Sequence, residues 1–170
     1  METKLTPLQN SLIPLDQEVL LTLHGPDAAT FLQGQTTADI CNLSILESTG
    51  GAFCDPKGRV LCDFLALRIS LEIIVLRVHV SVTTLLESHL KKFLLFSKAT
   101  LERDQMHVYG LCINQQSDFI QANEPAAILS AVDYGQGYLL QRAENYYEYW
   151  GHSTDALQLA ETLACCLQTD

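Results

Sequence analysis

The chain has 170 residues, 48% of them hydrophobic, with 20 acidic side chains against 10 basic ones and a formal net charge of −10. That apolar content suffices for one sizeable domain or two small ones, while the acidity argues against a general nucleic-acid-binding surface, which needs a basic stripe to release counterions, and against an anionic membrane surface. There is no run of about twenty apolar residues to span a bilayer, and Met1-Glu2-Thr3-Lys4 leads into no apolar segment of a secretory signal.

Residues Met1 to Pro14 read as a loosely held arm with room for a short helix. Glu18 to His24 is a strand by its Val and Leu content. Gly25-Pro26-Asp27 starts a helix, because Pro fits the first turn and Asp27 suits the positive end of the dipole. Ala28, Phe31 and Leu32 form its apolar stripe and Gly34 ends it. The segment Gln33-Gly34-Gln35-Thr36-Thr37 has two readings. It is a helix stop followed by a second cap, with Thr36 or Thr37 capping a helix from Ala38 to Leu43, or it is a turn whose amides and hydroxyls face a ligand.

Gly50-Gly51-Ala52-Phe53-Cys54-Asp55-Pro56-Lys57-Gly58-Arg59-Val60-Leu61-Cys62-Asp63 reads as a β-hairpin between strands Ser48–Cys54 and Arg59–Ser70. Pro56 presets φ, Asp55 accepts hydrogen bonds from the turn backbone, and Gly58 supplies the left-handed residue of a type I turn with a bulge. A Pro56-Lys57-Gly58 loop pairs Asp55 with Arg59, Cys54 with Val60, Phe53 with Leu61 and Ala52 with Cys62. That register puts Asp63 on the face of Phe53 and Leu61. A carboxylate in an apolar strand is costly unless paired or functional, so Asp63 either meets solvent and a local donor or does chemistry.

Glu72 to Val80 is a further strand, and Val82 to Phe96 a helix with Leu85, Leu86, His89, Leu90, Phe93 and Leu94 at helical spacing. Ala99–Asp104 and Met106–Ile113 alternate as strands, so 48–113 reads ββ-β-α-β-β, one antiparallel sheet with one helix. Asn114 to Glu124 is polar and reads as a linker. A short helix is expected over Pro125–Ser130, a hairpin over Gly137–Arg142 and Tyr146–Trp150, and a final helix over Thr154–Leu167 capped by Ser153, with Leu157, Ala160, Glu161 and Ala164 on one face. The aromatic cluster Tyr146-Tyr147-Tyr149-Trp150 either stacks on a planar ligand or, by alternation, splits between core and surface.

The six cysteines, Cys41, Cys54, Cys62, Cys112, Cys165 and Cys166, form no C-x-x-C pair, so neither a zinc ribbon nor a thioredoxin-like site has support. Cys54 and Cys62 sit diagonally in the hairpin, too far apart for an undistorted disulfide. Reduced cytoplasmic thiols are the simplest reading. The vicinal Cys165-Cys166 read as packing residues rather than metal ligands, and no metal site is expected. P-loop, G-x-G-x-x-G, H-E-x-x-H and G-x-S-x-G patterns are absent.

Two ordered motifs carry a resemblance. Gly25-Pro26-Asp27-Ala28-Ala29-Thr30-Phe31-Leu32-Gln33-Gly34-Gln35-Thr36-Thr37-Ala38-Asp39-Ile40, followed by Gly51-Ala52-Phe53-Cys54-Asp55-Pro56-Lys57-Gly58-Arg59, resembles the N-terminal half of the YgfZ family, folate-binding proteins related to the aminomethyltransferase (T-protein) of the glycine cleavage system. The family's Lys-Gly-Cys-Tyr-x-Gly-Gln-Glu segment is not among the 170 residues. The resemblance implies an α+β fold of antiparallel sheets with packed helices, in part the T-protein-like folate-binding fold. It implies a first lobe of 1–47 with 114–170 and an inserted ferredoxin-like lobe of 48–113. It implies tetrahydrofolate as ligand, bound weakly or not at all by this chain alone, and a role in iron–sulfur cluster assembly or repair and thereby in tRNA modification. The implied partners are folate, iron–sulfur proteins and a second chain that completes the fold, with no direct nucleic-acid or membrane contact. T-proteins hold the folate amine with a carboxylate on the strand after the hairpin, which is Asp63 here, the candidate catalytic residue. Gln33, Gln35, Thr36, Asp55, Lys57 and Arg59 are the candidate folate-binding residues, with Lys57 and Arg59 as charge-assisted donors to the glutamate tail or as a solvated tip. A folate-dependent aminomethyltransferase and a non-catalytic interaction module or degenerate fragment are the alternative functions.

Overall fold

The computed structural model describes residues 11–113 and 122–165. In chain order the elements are β1 (Ser11–Pro14), β2 (Glu18–His24), α1 (Ala28–Gln33), β3 (Ser48–Cys54), β4 (Val60–Arg68), β5 (Ile73–His79), a single 3-10 turn (Val80–Val82), α2 (Thr83–Leu94), β6 (Thr100–Arg103), β7 (His107–Cys112), β8 (Ala131–Tyr134), β9 (Gly137–Ala143), β10 (Tyr146–Gly151) and α3 (Ser153–Cys165). The strands make two five-stranded sheets, in the orders β1-β7-β10-β9-β8 and β3-β4-β5-β2-β6. The pairings with a defined register are all antiparallel.

The sheets stack face to face, and alternation along each strand sorts the residues into three apolar layers. Between the sheets lie Leu20, Leu65, Leu67 and Val75 from one sheet, and Val108, Ala131, Leu140 and Trp150 from the other. The outer face of the β3–β6 sheet carries Leu21, Leu23, Phe53, Phe64, Ile74 and Leu76, covered by Ala28 and Leu32 of α1 and Leu86 and Leu90 of α2. The outer face of the other sheet carries Leu111, Leu139, Tyr147 and Tyr149, covered by Ala156, Leu159 and Leu163 of α3. The order is thus helix, sheet, sheet, helix. In β2 the residues Leu20 to Leu23 are all buried. The strand lies inside its sheet, which explains its nearly continuous apolar sequence.

Inside the middle layer sits a cluster of charges. Glu148 of β10 is 1% exposed. Its Oε1 accepts a hydrogen bond from Nη1 of Arg77 on β5 and lies 3.3 Å from Nε of Arg142. Its Oε2 accepts from Trp150 Nε1 at 2.9 Å. Glu18 Oε2 flanks Arg77 Nε at 3.6 Å. Arg142 is the extra residue of a β-bulge, since Tyr146 pairs with Ala143 and Tyr147 with Gln141, and the bulge places its guanidinium beside Glu148.

Several elements differ from the sequence expectations. Ser11–Pro14 pairs with β7 as an edge strand instead of belonging to a loose arm. The run 48–113 does not form a sheet of its own: β2 sits between β5 and β6, and β7 joins β1 and β10. Residues 38–43 and 125–130 are turns and bends with no helix, and Ala131–Tyr134 is a strand that the sequence reading missed. The buried face of α3 is Ala156, Leu159 and Leu163, one helical step from the expected one, so Leu157 is exposed. In α2 only Thr83, Leu86 and Leu90 are buried, and Leu85 and Phe93 point outward. Most of the expected linker and Cys166 lie outside the described residues. Cys41, Cys54, Cys62 and Cys112 are free thiols, and burial pushes the Cys62 thiol up to about 11. No helix among the described residues is long and apolar enough to cross a membrane.

Replacing Glu148 by Gln leaves two guanidinium groups without their shared carboxylate between the sheets. The expected loss is about 3 kcal/mol or more of unfolding free energy, read from urea denaturation. An unchanged midpoint would show that the cluster is solvated in the folded protein.

Candidate functional site

The hairpin tip is built by its own sequence. Asp55 N–H donates to Arg59 O at 2.8 Å and Gly58 N–H donates to Asp55 O at 2.9 Å, which closes the turn. Gly58 has φ 77°, the left-handed conformation that glycine adopts without strain. Asp55 Oδ1 accepts from the backbone N–H groups of Lys57 and Arg59 at 2.8 and 3.0 Å, and Oδ2 accepts from Arg59 Nε at 2.8 Å. These bonds, first that from the Arg59 backbone, hold the Asp55 carboxyl below its ordinary value of 3.8. Asp55 and Arg59 are therefore committed to each other and to the turn. Lys57, exposed at the apex, makes no side-chain hydrogen bond or ion pair with another described residue.

The Gln33–Thr37 turn leans on the edge strand β3. Gln33 Oε1 accepts from the backbone N–H groups of Ile40 and Cys41 at 2.8 and 3.0 Å. Thr36 Oγ1 donates to Leu32 O at 3.0 Å, and Thr36 bridges to Phe53. Thr37 N–H donates to Ala52 O at 3.0 Å, and Thr37 Oγ1 accepts from Ala52 N–H at 3.0 Å. Neither threonine caps a helix over 38–43. The approach is close: a Cβ on Gly51 would sit 2.7 Å from the Phe64 ring and 2.8 Å from Ala38 Cβ. The turn thus spends Gln33 and Thr36 on its own backbone and leaves the half-buried Gln35 side chain without a described partner.

Asp63 lands on a different face from the expected one. Cys54 pairs with Val60 as expected, but Phe53 pairs with Cys62 and Ala52 with Asp63. Leu61 is the extra residue of a second bulge, and it turns every later residue of β4 over. Cys62 and Phe64 therefore go to the helix-covered face, and Asp63 to the inner face, two residues before Leu65. Leu65 pairs with Arg77, so Asp63 is the diagonal neighbour of Arg77. Asp63 is exposed and makes no side-chain hydrogen bond or ion pair with another described residue. It stands at the exposed edge of the layer that holds the Arg77–Glu148 cluster.

Among the candidates, then, Gln35, Lys57 and Asp63 have side chains without a described partner, Gln33, Thr36 and Asp55 bind the backbone of their own turns, and Arg59 pairs with Asp55 while its side chain stays 74% exposed. The sequence reading missed Arg77, Arg142 and Glu148. The signal was present: Glu148 interrupts Tyr146-Tyr147-Glu148-Tyr149-Trp150 as Asp63 interrupts its own apolar strand. A shallow groove of about 510 Å³ lined by His24, Ile45, Leu71 and Glu72 opens at the β4–β5 turn, beside Gly25.

No family model matches the chain. In sequence it is 34% identical over 115 residues to the tRNA-modifying protein YgfZ of Photobacterium profundum, covering 68% of this chain and 35% of that protein. It is 32% identical over 137 residues to the YgfZ of Edwardsiella ictaluri, covering 78% and 41%. The chain is similar in sequence to the YgfZ proteins. It spans less than half the length of these relatives. In three dimensions it superposes on the crystal structure of the glycine cleavage system aminomethyltransferase T from Bartonella henselae with a TM-score of 0.79 at 16% identity, over 91% of this chain and 45% of that one. It also superposes on a chain of the heterotetrameric sarcosine oxidase from Corynebacterium with a TM-score of 0.60 at 10% identity, over 95% of this chain and 87% of that one. The fold of the chain is accordingly that of part of the aminomethyltransferase T-protein.

Two measurements check the hairpin. Gly58→Val meets no atom within 4 Å of its Cβ but strains a residue at φ 77°, and should destabilise by about 1 kcal/mol or more. An unchanged melting temperature would refute the turn. A depressed carboxyl stabilises the fold above its unfolded value and loses that contribution as pH falls through its folded value. The amide shifts of Lys57 and Arg59 should therefore titrate together with a midpoint below 3.8, and a midpoint above that value would show that Asp55 does not accept their hydrogen bonds.

Proposed function

We propose that the chain is part of a YgfZ-type tetrahydrofolate-binding protein of the cytoplasm, serving iron–sulfur cluster assembly or repair and through it tRNA modification. The observation that carries the reading is Asp63: an exposed carboxylate without a described partner, on the inner face of a T-protein-like sheet, beside Arg77. A carboxylate so placed accepts N–H groups from a polar heterocycle, and Gln35 and Lys57 are the other candidates with side chains available as donors. Asp55, Arg59, Gln33 and Thr36 act by holding the hairpin tip and the adjoining turn in place. The similarity to proteins named as tRNA-modifying, together with the shared fold, supports the reading.

A flat ligand also needs an opposing apolar wall, and the chain spans less than half of its YgfZ relatives. Titration calorimetry of the chain with tetrahydrofolate should give a dissociation constant near or above about 1 mM, because each 1.4 kcal/mol of lost contact is about tenfold. Adding the complementary segment of the Edwardsiella relative should bring binding into the micromolar range, and Asp63→Ala should remove it. Binding that ignores Asp63→Ala, or no binding in either mixture, would refute the proposal.

A second reading, a module that assembles with another chain, is favoured by one observation. A chain of a heterotetrameric enzyme matches this fold over 87% of its own length, so a unit of this size serves there as a separate polypeptide. The complementation titration separates the two readings, since assembly without folate uptake supports only the second.

A further inference from the structure

The two sheets are also joined edge to edge, by two turns that match bond for bond. β3 and β8 are each the edge strand of their sheet, and each is entered through a turn, Ser44-Ile45-Leu46-Glu47 before β3 and Ala127-Ile128-Leu129-Ser130 before β8. Glu47 N–H donates to Ser44 O at 3.2 Å, and Ser130 N–H donates to Ala127 O at 3.0 Å. The side chain of the fourth residue returns to the first: Glu47 Oε2 accepts from Ser44 N–H at 3.0 Å, and Ser130 Oγ accepts from Ala127 N–H at 2.9 Å. The third residue's N–H donates into its own sheet, Leu46 to Arg68 O at 2.7 Å and Leu129 to Gln141 O at 2.8 Å. Its carbonyl accepts from the other sheet. Leu46 O accepts from Ala131 N–H and Leu129 O from Ser48 N–H, both at 2.7 Å, and Ser48 Oγ donates to Leu129 O at 2.7 Å. Glu47 and Ser130 form the bridge between them.

Each turn carries leucine where its geometry demands a left-handed residue. Leu46 has φ 63° and Leu129 φ 72°, at the third position of a type II turn, which glycine or asparagine usually fills. A leucine there crowds its Cβ against the backbone, and such strain persists only while the surroundings enforce it. The enforcing contacts are the hydrogen bonds across the joint and the partial packing of Leu46 against the inter-sheet layer. Ile45 and Ile128, at the turn apices, are exposed. Breaking the cross-sheet bonds lets the leucines relax, so the strain favours a local opening. The joint lies at the base of the β3–β4 hairpin: Ser48 pairs with Leu67 there, and Asp63 pairs with Ala52 nearer the tip. We infer that the paired turns are a sprung clasp, which opens while both sheets stay folded and frees the base of the hairpin that bears Asp63 and Lys57. That this motion serves a ligand rests on the proposed function, whereas the clasp itself is tested without one.

Native-state hydrogen exchange of the full chain reads the joint through the Ser48 and Ala131 amides. They should exchange about a hundredfold or more faster than those of Leu76 and Leu139, with little dependence on low denaturant, as a local opening does. Leu129 is 39% exposed, so replacing it removes little packing. Leu129→Asn tolerates the left-handed region and should slow Ser48 and Ala131 about tenfold, while Leu129→Ile tolerates it least and should speed them about tenfold. Global unfolding should shift by the same factor, because the turn relaxes in the locally open and in the unfolded state alike. Exchange of Ser48 and Ala131 only through global unfolding would overturn the inference. So would a Leu129→Asn protein in which global unfolding slows but these two amides do not, or in which neither slows. The wild-type and Leu129→Asn proteins decide the outcome even where Leu129→Ile fails to fold.

Discussion

The ionic contact between Arg77 and Glu148 is the constraint around which the two sheets are arranged. Removing a carboxylate and a guanidinium from water is expensive, and the cost is tolerable only when both find good partners. Glu148 meets this condition with Arg77, Arg142 and the Trp150 indole, which come from β5, β9 and β10. Arg77 meets it in part, through Nη1 to Glu148 and the 3.6 Å ion pair of Nε with Glu18, while Arg77 Nε and Arg142 Nε and Nη1 are buried without a hydrogen-bond partner among the described residues. These partners assemble only when the two sheets face each other in one register. The apolar residues around them, Leu20, Leu65, Leu140 and Trp150 among others, supply the driving force for stacking, and the charges select which stacking is allowed.

The same layer relates the fold to the candidate site. The Leu61 bulge turns β4 over, so Asp63 faces the inter-sheet side while Cys62 joins Phe53 on the helix side. Without that one extra residue, Asp63 would lie under α1 and α2, where an ionised carboxylate is unfavourable. The hairpin tip contributes rigidity: Asp55 binds the backbone of Lys57 and Arg59 and the Arg59 side chain, leaving the Lys57 side chain extended into solvent. The site is therefore a few available polar groups on a scaffold that uses the other polar groups for its own turns.

What the sequence made legible was local. The Asp-Pro-Lys-Gly turn and the left-handed Gly58 follow from steric rules within four residues, and the structure has them. The strands Glu18–His24 and Tyr146–Trp150 were legible from composition and alternation. Sheet order was not, because whether β2 lies between β5 and β6 depends on contacts distant in sequence. The face of Asp63 was misplaced by one residue, since a bulge leaves no distinct composition in Val60-Leu61-Cys62. In α3, Leu157 and Leu159 offered two competing apolar stripes, and only the sheet beneath decides between them. Glu148 was legible in principle by the argument applied to Asp63, but the aromatic residues around it suggested core packing or ligand stacking instead. The motif resemblance pointed to the right fold, while the division of its candidate residues into engaged and available ones required the hydrogen bonds.

If the middle layer makes the two sheets one cooperative unit, their amides must open together. Native-state hydrogen exchange in increasing denaturant measures this directly, with Leu76 reporting on the sheet of β2–β6 and Leu139 on the other. Their exchange should converge on a single opening free energy equal to that of global unfolding. If Leu139 and its sheet remained protected while Leu76 and its neighbours exchanged through a separate, lower-energy opening, or the reverse, the inter-sheet cluster would not be what holds the molecule together.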